Sequence, residues 1–238
     1  MEIIPVIDLM GGKVVHAKAG ERQTYQAIQS VLTKATDLHS VVADILSFYP
    51  FKTMYIADLD AITGRGLDVT QYQRCLAQFP EVTFWLDAGV CNQADCDSFP
   101  ISERLVMALG SESLQTLSLL KEARSSVLSL DFKQGRFLGD QRLLEQVELW
   151  PDKVIVMNLD RVGLSQGPDL VLMGALREKK REVSLIAAGG VRLEDITILA
   201  ELGVEQVLIA SLLHQGLLTR ECLRIISEPV SIKGGLTE

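Results

Sequence analysis

Short apolar runs recur along the chain, each followed by a polar or glycine-rich turn and then a stretch whose apolar residues share one helical face. The runs predict strands at 2–8, 53–58, 82–87, 104–109, 126–131, 153–158, 183–188 and 205–210. They are rich in Val, Ile and Leu and mostly lack strict alternation, the pattern of parallel strands covered on both faces. The gaps predict helices at 37–49, 69–79, 113–123, 140–149, 168–181, 192–203 and 217–227. In 113–123 the leucines fall on one face and Ser113 is suited to an N-cap. In 192–203 the pattern places Glu194, Asp195 and Glu201 outward and Ile196, Leu199 and Leu202 inward, with Gly203 as the stop. The third crossover, around 92–99, has room for only a turn of helix.

Eight strands alternating with helices give either a barrel or a doubly wound open sheet. An internal repeat decides between them. Asp8-Leu9-Met10-Gly11-Gly12-Lys13 parallels Asp131-Phe132-Lys133-Gln134-Gly135-Arg136, and Asp58-Leu59-Asp60 parallels Asn158-Leu159-Asp160. Ala88-Gly89-Val90 parallels Gly189-Gly190-Val191, and Gly110-Ser111 parallels Ala210-Ser211. The offset is nearly constant for three pairs and longer for the first, which places an insertion of about twenty residues after the first strand, within roughly 16–36. Four strand ends repeated in order describe a (βα)8 TIM barrel of two repeated half-barrels, one α/β domain over 1–238.

Composition narrows the partners. A net charge of -8 opposes nucleic-acid binding, which needs a concentrated basic face. The one dense basic run, Arg177 to Arg181, is interleaved with acids and reads as a solvated surface. No apolar run reaches the length of a membrane span, and the start Met1-Glu2-Ile3-Ile4-Pro5 lacks the pattern of a signal peptide. With unpaired thiols at Cys75, Cys91, Cys96 and Cys222, this points to the cytoplasm. His16, His39 and His214 show no metal-site spacing, so no metal and no redox cofactor is implied. Whether the chain pairs with a second copy or another protein is left open.

In such barrels ligands sit on the loops after the strands. Asp8 and Asp131 end half-related strands and face each other across the mouth, where one protonated and one ionised carboxyl can divide a proton transfer. The other reading has each Asp capping its own turn. Gly189 and Gly190, with the next helix and with Ala210 and Ser211 beside them, have the makings of a phosphate site after strands 7 and 8. Their counterparts Gly89, Gly110 and Ser111 outline a second, opposite phosphate site, although Asp87 adds negative charge there. Asp58 and Lys133 are further candidates for substrate contact, and His16 lies in the inserted loop.

Ile4-Pro5-Val6-Ile7-Asp8-Leu9, Gly12-Lys13-Val14-Val15, Leu130-Asp131, Gly163, Gly167-Pro168-Asp169 and Ala188-Gly189-Gly190-Val191 together resemble the histidine-biosynthesis barrels. That family contains HisA, a ribotide isomerase, and HisF, the cyclase subunit of imidazole glycerol phosphate synthase. The resemblance implies that Asp8 and Asp131 are the acid–base pair of an Amadori-type isomerisation of a phosphorylated aminosugar. It also implies that Gly189, Gly190, Ala210 and Ser211 hold one phosphate of a two-phosphate substrate, and that the first-half segments hold the other. The chain departs from the family where polar groups usually follow strand 6: here stand Met157, Val162 and Leu164. The run of glycines usual after strand 3 is Asp87-Ala88-Gly89-Val90-Cys91. The nearest likeness is to a HisA/HisF-related branch known from methanogens and methylotrophs. Two alternatives follow: another step, a lyase or condensation, in one-carbon (methanopterin-type) cofactor synthesis, or a non-catalytic barrel that binds a phosphate ligand or a partner.

Overall fold

The computed structural model describes residues 1–122 and 126–228. Eight strands occupy the expected segments: β1 (Glu2–Met10), β2 (Thr53–Asp58), β3 (Thr83–Asp87), β4 (Leu105–Gly110), β5 (Ser126–Lys133), β6 (Lys153–Asn158), β7 (Ser184–Ala188) and β8 (Gln206–Ile209). Each pairs in parallel with the next, and β8 pairs back on β1 with Glu2 opposite Gln206 and Pro5 opposite Ile209. The sheet is closed, a (βα)8 TIM barrel.

The strands are apolar on both faces because they separate two cores. Ile4, Tyr55, Trp85, Val106, Val127, Ile155, Ile186 and Leu208 fill the barrel interior. The alternate residues, such as Ile7, Ile56, Leu86, Leu128, Val154 and Val207, pack outward beneath the helices. Those helices include α1 (Leu38–Phe48), α2 (Val69–Gln78), α3 (Leu170–Lys179), α4 (Asp195–Glu201) and α5 (Arg220–Ser227). Side-chain oxygens of Asp37, Asp68, Asp169 and Thr219 cap α1, α2, α3 and α5, satisfying N–H groups that the first turn leaves unpaired.

The repeat is visible in the backbone. After β1 and β5 the chain doubles back in two-residue turns, at Gly11-Gly12 and Gln134-Gly135, all four residues at positive φ as tight hairpins require. The Asp60 carboxylate accepts from the Gly11 N–H, and Asp160 accepts from the Gln134 N–H at 2.6 Å. Each hairpin is thus braced by the loop after the neighbouring strand of its own half.

The helix expected at 113–123 is largely irregular, with one helical turn at Leu119–Glu122; Ala123 lies outside the described residues. Leu114, Leu119 and Leu120 are buried as the pattern requires, but Gln115 donates its N–H to Cys91 across the neighbouring loop, so Ser113 caps no helix. The helix expected at 192–203 begins only at Asp195, whose carboxylate turns inward onto Arg192 and is 4% exposed, while Leu202 is exposed; both reverse the expected facing. Residues 140–149 hold two short turns, Arg142–Glu145 and Val147–Leu149. Among the described residues, no helix is long and apolar enough to cross a membrane.

Candidate active site

A cavity of about 240 Å³ opens at the C-terminal ends of the strands. The insertion after β1 forms one wall. A short strand, Lys13–His16, pairs antiparallel with β1 and with Gln26–Ala27. Between them the chain crosses to the loop after β6, where the Ala19 N–H donates to the Val162 carbonyl at 2.8 Å, and Glu21 pairs with Lys133 at the end of β5 at 2.9 Å. This brings His16, Arg22 and Tyr25 to the cavity.

Asp8, Asp87 and Asp131 all line this cavity. Burial is the main force on each, and it favours the neutral carboxylic acid. It pushes Asp8 up to about 7, with the Asp87 charge adding to the rise and Arg22 opposing it. Asp131 is pushed up to about 8, again by burial and then by Asp87, against hydrogen bonds from Ser129 and Ser111. Asp87 rises to about 6, moderated by hydrogen bonds from the Gly89 N–H and the Tyr55 hydroxyl. Three carboxyls that resist simultaneous ionisation at neutral pH are suited to exchanging protons with a ligand.

Asp87 therefore destabilises the fold when ionised. A group whose folded-state pKa is raised contributes stability below its unfolded value, and that stability is lost as pH rises through the folded value. For Asp87 the window runs from 3.8 to about 6. Asp87→Asn keeps an acceptor for Tyr55 and Gly89 while removing the charge. It is expected to stabilise the protein by about 1–3 kcal/mol at pH 8, with a gain near zero below pH 4. At about 2–4 °C per kcal/mol for a chain of this size, thermal melts at the two pH values measure it. An equal gain at both would remove the electrostatic explanation.

The second-half segments expected to hold a phosphate meet at one wall of the cavity. Gly189, Gly190, Ala210 and Ser211 line the cavity together. Among the described residues, the N–H groups of Gly190, Val191, Ser211 and Leu212 find no protein acceptor. The paired glycines also have a packing reason: a Cβ on Gly190 would sit 2.5 Å from the Arg161 carbonyl oxygen.

The first-half counterparts are placed differently. Gly89, Gly110 and Ser111 are absent from the cavity lining. Gly89 packs on the Ile62 backbone, and Ser111 is 1% exposed. The Ser111 hydroxyl accepts from the Asp131 N–H at 2.9 Å and donates to the Leu138 carbonyl at 2.7 Å, with an Asp131 oxygen 3.2 Å away. Its capacity is spent within the protein. Asp58 does not line the cavity either. Its carboxylate, 2% exposed, accepts from the N–H groups of Asp60 and Ala61 and from the Tyr72 hydroxyl. Lys133 does reach the cavity, although its ammonium is held by Glu21 and the Gly20 carbonyl.

Tyr55, Glu112, Arg22 and Tyr25 are lining residues that the sequence pattern does not single out. A tyrosine within an apolar strand and an acid directly after Gly110-Ser111 were the available signals for the first two. The inserted loop has no periodicity that would mark the others. Met157 and Val162 line an apolar stretch of wall with Leu159; Leu164 does not reach it. Among the described residues, no group of three His, Cys, Asp or Glu side chains could hold a metal ion.

Comparison with known proteins gives this arrangement relatives. An uncharacterized protein of Methanocaldococcus jannaschii is 32% identical over 229 residues, covering 93% of this chain and 96% of its own. Proteins of Methanosarcina mazei and Methanosphaera stadtmanae, 29% and 24% identical, carry the name 1-(5-phosphoribosyl)-5-((5-phosphoribosylamino)methylideneamino) imidazole-4-carboxamide isomerase. The first match covers 92% of this chain and 95% of the relative, and the second 93% and 97%. The sequence model of the histidine biosynthesis proteins matches residues 2–219, and the chain belongs to that family.

Proposed function

We propose that the protein is a HisA-like isomerase-type enzyme acting on a phosphorylated aminosugar. Asp8 serves as base, Asp131 as acid, and Gly189, Gly190, Ala210 and Ser211 surround the phosphate. The observation that carries this reading is the pair of strand-end carboxyls in one cavity, Asp131 the more readily protonated at about 8 and Asp8 at about 7, beside a set of N–H groups without a protein acceptor among the described residues. In the first step Asp131 protonates the ring oxygen of the aminated sugar and the bond from that oxygen to C1 breaks as the nitrogen lone pair moves in, leaving a protonated imine. Asp8 then removes the C2 proton, and the electron pair moves to give the enamine, which tautomerises to the amino-ketose. One proton leaves Asp131 and one arrives on Asp8, so proton exchange with solvent resets the pair.

A second reading keeps the same pair and cradle but changes the reaction to a lyase or condensation, as in one-carbon cofactor synthesis. The apolar wall of Met157, Leu159 and Val162 favours it, because such a wall offers no partner to a polyhydroxylated ring. Incubation in D2O with aminated pentose phosphates, singly phosphorylated and the doubly phosphorylated ribotide alike, separates the two. Loss of the C2 proton, deuterium at C1 and an accumulating ketose, followed by NMR, are expected. A folded protein that binds phosphate yet exchanges no C2 proton would abandon the isomerase in favour of the second reading.

A further inference from the structure

The two ends of the cavity are built from repeated sequence, so they can be compared position by position. At the second-half end Ala188 presents a methyl group, and Gly189, Gly190, Ala210 and Ser211 follow it around the open N–H groups. At the first-half end the residue matching Ala188 is Asp87, and the residue after Gly110-Ser111 is Glu112. Both acids line the cavity. The Asp87 carboxylate stands directly over Gly110, where a Cβ would lie 3.5 Å from its Oδ2 and 3.5 Å from Oδ2 of Asp131. Oxygen atoms of the protein thus occupy the ground that the second half leaves open. Arg22 lines the cavity beside these acids, and its guanidinium is bound to Glu112 at 2.5 Å. With Asp87 beside them, the pair leaves no positive surplus for an anion.

Resting on the reading of the second-half end as a phosphate cradle, we propose that the site selects a singly phosphorylated substrate, with Asp87 and Glu112 excluding a phosphate from the far end. That end takes hydrogen-bond donors, hydroxyls or an amine, which the carboxylates accept. An anion placed there would meet two carboxylates within a shielded cavity, where like charges repel far more strongly than in water. Asp87 and Glu112 are specificity-determining groups in this account, separate from the proton transfers assigned to Asp8 and Asp131. The substrate class differs accordingly from the two-phosphoribosyl compound in the names of the isomerase relatives.

Calorimetry on the intact protein at pH 8 tests this with three probes: inorganic phosphate, ribose 5-phosphate and ribulose 1,5-bisphosphate. The expected order has ribose 5-phosphate tightest and the bisphosphate at least about tenfold weaker, the scale on which misplaced charge discriminates between ligands. Asp87→Ala and, separately, Glu112→Gln are expected to narrow or reverse that gap while leaving the affinity for inorganic phosphate within about twofold. Glu112 is partly exposed and its substitution disturbs little packing, so it stands in if Asp87→Ala melts early. A bisphosphate that binds the unaltered protein as tightly as the monophosphate overturns the selectivity and leaves the cradle standing. No binding of any of the three overturns both.

Discussion

Asp8→Asn is expected to lower the rate of C2 proton exchange by roughly 10²- to 10⁴-fold, the range for loss of a positioned general base, with the fold and phosphate affinity retained. Asparagine preserves the shape of the side chain but cannot accept a proton at neutral pH. Asp131→Asn is expected to be as damaging to net isomerisation, since ring opening then lacks its acid. The unaltered protein should show a bell-shaped rate profile. The acidic limb rises as Asp8 ionises near 7, and the alkaline limb falls as Asp131 loses its proton near 8. The two carboxyls share the influence of Asp87, so the limbs report the coupled group rather than either residue alone. Full turnover by Asp8→Asn in stopped-flow or NMR exchange would remove Asp8 from the chemistry.

Gly190→Ala is expected to cost a large share of stability for one added carbon. Gly190 sits at φ +70°, and its added Cβ would lie 2.5 Å from the Arg161 carbonyl oxygen and 3.3 Å from the Gln166 nitrogen. Both are backbone atoms, so relief requires the loops after β6 and β7 to separate. Gly12→Ala is the control: φ is +69° there, but nothing lies within 4 Å of the added carbon. The control isolates the left-handed strain of about 1–2 kcal/mol. Gly190→Ala adds the steric clash, for an expected total of about 3–5 kcal/mol. Because Gly190 also accepts the Gly167 N–H at 2.8 Å, displacement loosens the cradle. Phosphate affinity should fall at least about tenfold. Urea unfolding of the two variants measures the difference; equal losses would mean that the loops yield freely and that the close approach does not fix the cradle.

The strands were legible because a short run of Val, Ile and Leu bounded by turns suits a strand buried on both faces and little else. The eight segments lie within about two residues of their expected bounds. Helix limits were less so. Asp195 reads as a surface acid by spacing, yet its carboxylate is drawn inward to Arg192, a contact made by a turn and not by a helix period. At the site, repeated motifs led to Asp8, Asp131, Gly189, Gly190, Ala210 and Ser211, all of which line one cavity. The same repeat misled at Gly89, Gly110 and Ser111. A motif carries the backbone path but not which partners its polar groups find: the Ser111 hydroxyl donates to the Leu138 carbonyl and accepts from the Asp131 N–H. Asp58 illustrates the point again: its place at a strand end suits a ligand contact, whereas Tyr72, fourteen residues on, claims it for the fold.

The braces that Asp60 gives Gly11 and Asp160 gives Gln134 have an evolutionary consequence. Both lie within one half of the chain, and neither reaches across the seam between halves. A gene encoding half of this barrel would already encode the scaffolding of its own hairpin. Fusing two copies would then require only that strands pair across two seams, β4 with β5 and β8 with β1, through backbone groups that any sequence possesses. Each descendant half is free to diverge at its mouth without renegotiating how its strands are held.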